Sequence, residues 1–286
     1  MSGPSPIRNV SDTALWVAIY RAMESERSDA LFQDPYARRL AGEHGETIVR
    51  TIPGGKAGAW PMIVRTKVMD DIILRCVGNG TGTVLNLAAG LDTRAYRLDL
   101  PASLHWIHVD MPEMVDYYRS HMDRESPRCD LEFASIDLRD TRARRELFAR
   151  AASRGPVFAI SEGLLVYLVP GQVAELALDL HDVARATRWL SDIATPRLRK
   201  IMQRQKHLEL LRRSQAPMQF FPEQGTAFMQ PYGWREAEFH SIWHESFRLR
   251  RTVRGGHLFR LMMKLQSGRE REAMRRMSGV ALLEPS

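Results

Sequence analysis

Gly90 closes the apolar run TVLNLAA, and Asp110 ends the next such run, LHWIHVD. Asp137-Leu138 closes a third, LEFASID, and Glu162-Gly163 closes a fourth, PVFAISEG. A glycine at a strand-to-helix turn lets the backbone bend tightly and a ligand come close. An acidic residue about twenty positions further on suits the hydroxyls of a ribose. Asp137 is placed to accept a hydrogen bond from an adenine amine, and Glu162 faces the same crevice. Read alone, Asp110 is equally a solvent-facing residue opening the turn before Pro112. Acidic groups at three successive strand ends favour the ligand reading.

The pattern does not suit a polyphosphate. There is no GxxxxGK[ST] stretch, and GxGxxG is incomplete because positions 86 and 88 are Asn and Ala. Carboxylates would repel a pyrophosphate. A nucleoside without phosphates fits better. S-adenosylmethionine (SAM) is one, and its sulfonium is a cation that carboxylates tolerate.

Elements that could position these residues are legible around them. Residues 11–24 and 62–77 read as helices, the second with Ile63, Val68, Ile72 and Cys76 near one face. A short helix, PYARRLAG, ends at Gly42, and residues 43–60 read as a Gly-rich loop. Strand-like runs begin near 83, 104, 131 and 156, and ATRWLSDI (186–193) is a fifth. Helical stretches at 112–124, 140–153 and 170–184 separate them, and a helix starting near Asp92 offers free N–H groups. Strands alternating with helices predict a parallel sheet covered on both faces, with ligands beyond the carboxyl ends of the strands. Residues 196–235 break the alternation and read as an insertion over those ends. Beyond it, REAEFHSIWHES reads as a helix, and FRLRRTV with HLFRLMMKL as an antiparallel pair around Gly255-Gly256.

Composition narrows the class. Apolar residues make up 44%, as in soluble globular proteins. No apolar run reaches the roughly 18–20 residues of a membrane helix, so no membrane partner is expected. The first residues, MSGPSPIRNVSD, lack the apolar core of an export signal. Cys76 and Cys129 stand far apart, in no metal spacing. These features predict a cytoplasmic protein without a metal. The net charge of +7 comes largely from RLRKIMQRQKHLELLRRS (197–214) and REREAMRRM (269–277). The first has Ile201, Leu208 and Leu211 near one helical face, so a solvated amphipathic helix is expected and nucleic acid is not.

TALWVAIYRAMES (13–25), DPYARRLAG (34–42), RTK (65–67), NLAAGLDTRAYRL (86–98), VDMPEM (109–114), DLRD (137–140) and SEGLLVYL (161–168) stand in order. Together they closely resemble the leucine carboxyl methyltransferase family, nearest its bacterial branch, which includes polyketide O-methyltransferases of the tetracenomycin type. The resemblance covers about residues 10–195, and more loosely 231–236. It implies an α/β, Rossmann-like class I methyltransferase: a mostly parallel seven-stranded sheet with helices on both faces, an N-terminal helical extension and a lid-like insertion. One domain is expected over 1–286: extension 1–61, cofactor-binding core 62–195, insertion 196–235, and C-terminal strands with a basic tail 236–286. The cofactor implied is SAM. By matching position, Arg65 would grip the methionine carboxylate, Gly90 would lie under the methionine and Asp110 would hold the ribose. Asp137 and Leu138 would hold the adenine, and Glu162 would lie near the amino group. Arg21 is a candidate for a further cationic contact. Relatives often have Gly where this chain has Ala88.

The acceptor is less legible. Tyr167, Glu162, His207, His240 and His244 are possible polar partners, and no general base is assigned. Phe220, Phe221, Phe228, Tyr232 and Trp234 stand in the insertion. Of these, Phe221, Tyr232 and Trp234, with Tyr167, are the expected substrate residues, suiting a flat aromatic or polyketide-like metabolite methylated at a hydroxyl or carboxyl oxygen. Alternatives are a protein C-terminal carboxyl methyltransferase, a non-catalytic nucleotide or nucleic-acid binder, and an NAD-dependent oxidoreductase. The missing GxGxxG counts against the last.

Overall fold

Short apolar runs bounded by Gly, Pro and Asp make the strands. The computed structural model describes residues 10–52, 55–204, 217–253 and 255–286. The strands are β1 (Thr83–Leu87), β2 (His105–Asp110), β3 (Asp130–Ser135), β4 (Val157–Ser161), β5 (Ala186–Ala194), β6 (Trp234–Ser241) and β7 (Ser278–Pro285). They form one seven-stranded sheet in the order β3-β2-β1-β4-β5-β7-β6. Strands β1 to β5 pair in parallel, and β7 is antiparallel to both β5 and β6. The strand order reverses between β1 and β4, the switch point where such sheets open a crevice.

Alternation along the strands supplies both faces. Val84, Trp106 and Phe158 join one apolar cluster with α1 (Val10–Ser25), α2 (Ala37–Thr51) and α3 (Trp60–Gly78). Leu85, Ile107 and Ala159 join the opposite cluster with α6 (Thr141–Ala152) and α7 (Pro170–Asp182). The expected helices at 11–24, 62–77, 112–124, 140–153 and 170–184 are all present, the third as α5 (Pro112–Met122).

Four expectations are corrected. Gly42 breaks its helix as expected, at φ +58°, but a second helical segment of α2 follows at once and buries Ile48 and Val49, so 43–51 is not a loop. Helix α4 covers only Arg94–Arg97, and its first free N–H, that of Arg94, is already bound by the Asp92 side chain at 2.8 Å. The stretch expected as a helix, 235–246, begins as strand β6. Its Glu, Ala and Arg content favours a helix, but it lies at the sheet edge. There Arg235 pairs with Glu284, and Arg276 pairs with Glu236, and charge is tolerated at an edge. The expected strand pair around Gly255-Gly256 is instead a loop and a helix, Gly256–Met263. The reversed strand is β7, an apolar run after the basic tail. That tail is itself helical over Gly268–Arg275.

Candidate active site

The sequence-predicted residues converge beyond the carboxyl ends of β1 to β5. Arg65, Gly90, Asp110, Asp137, Leu138, Glu162, Tyr167 and Phe221 all line one cavity of about 1400 Å³. Gly90 turns the chain at φ +54°, and its N–H donates to Asp110 Oδ2 at 2.6 Å. The Met111 N–H donates to the other carboxylate oxygen at 2.7 Å. Burial raises the Asp110 pKa, and these two N–H groups only partly offset it. Asp137 is held by the Arg139 side chain at 2.7 Å, which lowers its pKa. The Leu138 carbonyl accepts from Arg144 at 2.7 Å.

Glu162 sits between two guanidiniums, Arg65 Nε at 2.9 Å and Arg94 Nη1 at 2.7 Å. Burial works against its charge, but Arg94 and Arg65 prevail and hold its pKa at about 2. Arg65 Nη1 also donates to Asp192 at 2.9 Å. Among the described residues, Arg65 Nη2 has no hydrogen-bond partner and is left for a ligand. Asp192 additionally accepts from the Gly163 N–H at 2.6 Å, so one carboxylate at the end of β5 fixes both Arg65 and the turn after β4.

Beneath this layer lies a buried ionic network. Arg94 donates to Asp70 at 2.6 Å and to Asp92 at 2.7 Å, and Arg97 donates to Asp70 at 2.7 Å. Burial opposes the Asp92 charge as well, yet Arg94 and Arg97 hold its pKa at about 2. Arg21 donates to Asp34 at 2.8 Å and to the Leu91 carbonyl at 2.5 Å, tying α1 to the Gly90 turn. Arg21, Arg65, Arg94 and Arg97 thus meet Asp34, Asp70, Asp92, Glu162 and Asp192, and Asp110 adds a further carboxylate. The floor carries excess negative charge, which suits a cationic ligand. Removing one partner of such a buried pair costs about 3–5 kcal/mol.

Asp92, Arg94 and Asp192 were not picked out from the sequence. Asp192 had a readable signal, an acidic residue in the fifth strand-like run. Arg94 stood inside the quoted NLAAGLDTRAYRL stretch, but a charged residue just after a turn reads as surface.

Two expected substrate residues lie elsewhere. Trp234 is fully buried among Trp189 and α7, and its Nε1–H donates to the Ala177 carbonyl at 2.9 Å. Tyr232 packs on Phe228 behind the sheet, and neither residue lines the cavity. Their neighbour in sequence, Gly233, turns the chain at φ +85° into the edge strand β6. Phe221 does line the cavity, under the Arg199 guanidinium, as does Phe220, which also joins the core; Phe228 packs on the core alone. Tyr167 Oη lies 3.4 Å from Thr13 Oγ1, and burial raises its pKa. His240 pairs with Glu238 on β6, and neither it nor His244 reaches the cavity. His207 lies outside the described residues. In the basic stretch at 197–214, the described part forms α8 (Pro196–Arg204), whose Ile201 packs inward as expected, with Leu198 beside it; Leu208 and Leu211 lie outside the described residues.

Residues 14–180 match the family model described as leucine carboxyl methyltransferase. The chain belongs to that family. Its cofactor is SAM, and its chemistry is methyl transfer. A provisionally named SAM-dependent methyltransferase of Saccharopolyspora erythraea is 35% identical over 191 residues, 64% of this chain and 67% of that protein. A second such protein, from Streptomyces coelicolor, is 34% identical over 58% of this chain, and the match spans 62% of its length. The crystal structure of a DUF574 family protein from Streptomyces avermitilis superposes with a TM-score of 0.58 at 12% identity, covering 94% of this chain and 97% of that one. That likeness supports the class I fold alone.

The residues present fit SAM. Asp110 keeps unused lone pairs for hydroxyls, Arg65 Nη2 is open to a carboxylate, and the anionic floor suits an ammonium and a sulfonium. When bound, SAM supplies an electrophilic methyl group. The chain's own residues would bind and orient it.

Proposed function

We propose that this chain is a SAM-dependent O-methyltransferase acting on a hydroxyl or carboxyl oxygen of a small, aromatic or polyketide-like metabolite. The supporting observation is the apolar share of the cavity wall. Trp60, Met62, Phe221 and Trp243 line it with Met274 and Met277. Ligand pockets commonly run to about 300–1,000 Å³, so about 1400 Å³ leaves room for an apolar acceptor beside the cofactor. Aromatic and thioether walls suit a flat, polarizable molecule.

The ionisable groups favour an acceptor that arrives as an anion. Glu162 and Asp92, at about 2, are feeble bases, and Tyr167 is a neutral phenol with a raised pKa. A carboxylate or an acidic phenol needs no base, and alignment in a dry site then does most of the work. The test is incubation of the full chain with methyl-labelled SAM and a panel of aromatic hydroxy and carboxylic acids, beside peptides with free C-terminal carboxylates. Labelled product from the small acids supports the proposal, and alkaline hydrolysis separates esters from aryl ethers. Label only on peptides would move the reading to a protein carboxyl methyltransferase.

A further inference from the structure

The helix Gly256–Met263 turns the usual arrangement inside out. Its turn continues through Gln266 by bonds between residues three apart. Leu258, Leu261, Met262 and Leu265 follow the spacing of one helical stripe, yet they are 64%, 59%, 50% and 87% exposed. The anchoring residues lie on the other side: the Phe259 ring meets Trp243 at 5.4 Å, and Met263 joins the cluster of Trp243, Met274 and Met277. That cluster is also cavity wall. A contiguous apolar stripe of this kind on a surface marks an interaction site.

The charges beside the stripe say what covers it. Between 255 and 269 the described charged residues are Arg260, Lys264 and Arg269, all exposed, with no acid among them. Arg271 follows, its guanidinium donating to the Lys264 and Gln266 carbonyls rather than to a carboxylate. The neighbouring Glu270 is taken by Arg197 at 2.9 Å. A second copy of the chain packed through this face would bring like charges together, because a twofold contact opposes each patch to itself. An anionic surface satisfies both the leucines and the cations.

We propose that this helix docks the protein on an anionic lipid bilayer, with Leu258, Leu261, Met262 and Leu265 inserted among the acyl chains and the cations at the headgroups. Amphipathic helices bind interfaces in this way. The sequence reading expected no membrane partner because no apolar run is long enough to span a bilayer; docking on its surface needs no such length and departs from that expectation. The inference stands apart from the acceptor reading, although it sets the bilayer against the apolar wall of the cavity.

The test is co-sedimentation of the full chain with phosphatidylcholine vesicles, with and without phosphatidylglycerol. Expected is salt-sensitive binding to the anionic vesicles alone, weakened about tenfold or more by Leu261→Gln/Leu265→Gln at an unchanged thermal melt. Should the double variant misfold, Leu265→Gln alone is expected to weaken binding at a wild-type melt, since that side chain projects into solvent. Absence of vesicle binding would overturn the proposal, as would equal binding by the leucine variants. A concentration-dependent dimer abolished by the same variants would also overturn it, by assigning the stripe to a second copy.

Discussion

Replacing Ala88 with glycine isolates the strain in the turn after β1. Ala88 sits at φ +46°, where an L side chain crowds the following carbonyl at a cost of about 1–2 kcal/mol. Glycine removes that cost but frees the unfolded chain, which offsets about 0.4–1 kcal/mol. The net expectation is a stabilisation of about 0.5–1 kcal/mol, or roughly 1–3 °C in Tm for a chain of this size. The Ala88 methyl also lines the cavity, so removing it should leave SAM affinity equal or higher. Thermal melts by circular dichroism give the first quantity and calorimetric titration gives the second. A lower Tm would refute the strain argument, and a weaker affinity would refute the intrusion argument. Gly90→Ala is the converse case. The new Cβ would lie 3.4 Å from the Ala14 Cβ, an ordinary contact. The loss at φ +54° then comes from the backbone, about 1–2 kcal/mol.

Asp192→Asn should weaken SAM binding by about tenfold, because it loosens both Arg65 and the Gly163 turn; an unchanged Kd would remove Asp192 from the site. Trp234→Phe should lower stability by about 1–3 kcal/mol, through the lost indole hydrogen bond and the lost packing against Trp189, with SAM affinity unaltered. A changed affinity at constant stability would restore Trp234 to the substrate site. Acid stability should fall in two stages. Burial holds the His108 pKa at about 4 against an ordinary 6.5. The unfolded chain therefore takes up the proton first, and stability drops as pH falls from 6.5 toward 4, by on the order of 3 kcal/mol. Glu162 and Asp92, depressed to about 2, add stability above the ordinary carboxylate range and lose it as pH falls toward 2. Melts across pH 3–8 with His108→Phe test the first stage, and an unchanged slope there would refute it.

The sheet and its ligand end were legible because short continuous apolar runs ending in Gly or Asp have few other uses. Gly90, Asp110, Asp137 and Glu162 could be placed for that reason. What stayed hidden depended on packing between distant segments. Arg94 is buried only because Asp70, from α3, and Glu162, from the end of β4, arrive beside it. The Glu/Ala/Arg content of β6 favours a helix, and the sheet edge overrides it. Residues 257–265 are apolar enough to pass for a strand. Their period of 3.6 was the better guide, and their exposure could not be read from sequence. Trp234 and Tyr232 were misassigned because an aromatic near an insertion carries no sign of which side of the sheet it will face.

The most direct test of the cofactor site is calorimetric titration of the full chain with SAM beside Asp110→Ala. The account predicts saturable binding by the wild-type protein, weakened in the variant by roughly ten- to a hundredfold, the effect of losing hydrogen bonds to a charged group. Equal affinity in the variant, or no binding by the wild-type protein, would contradict it.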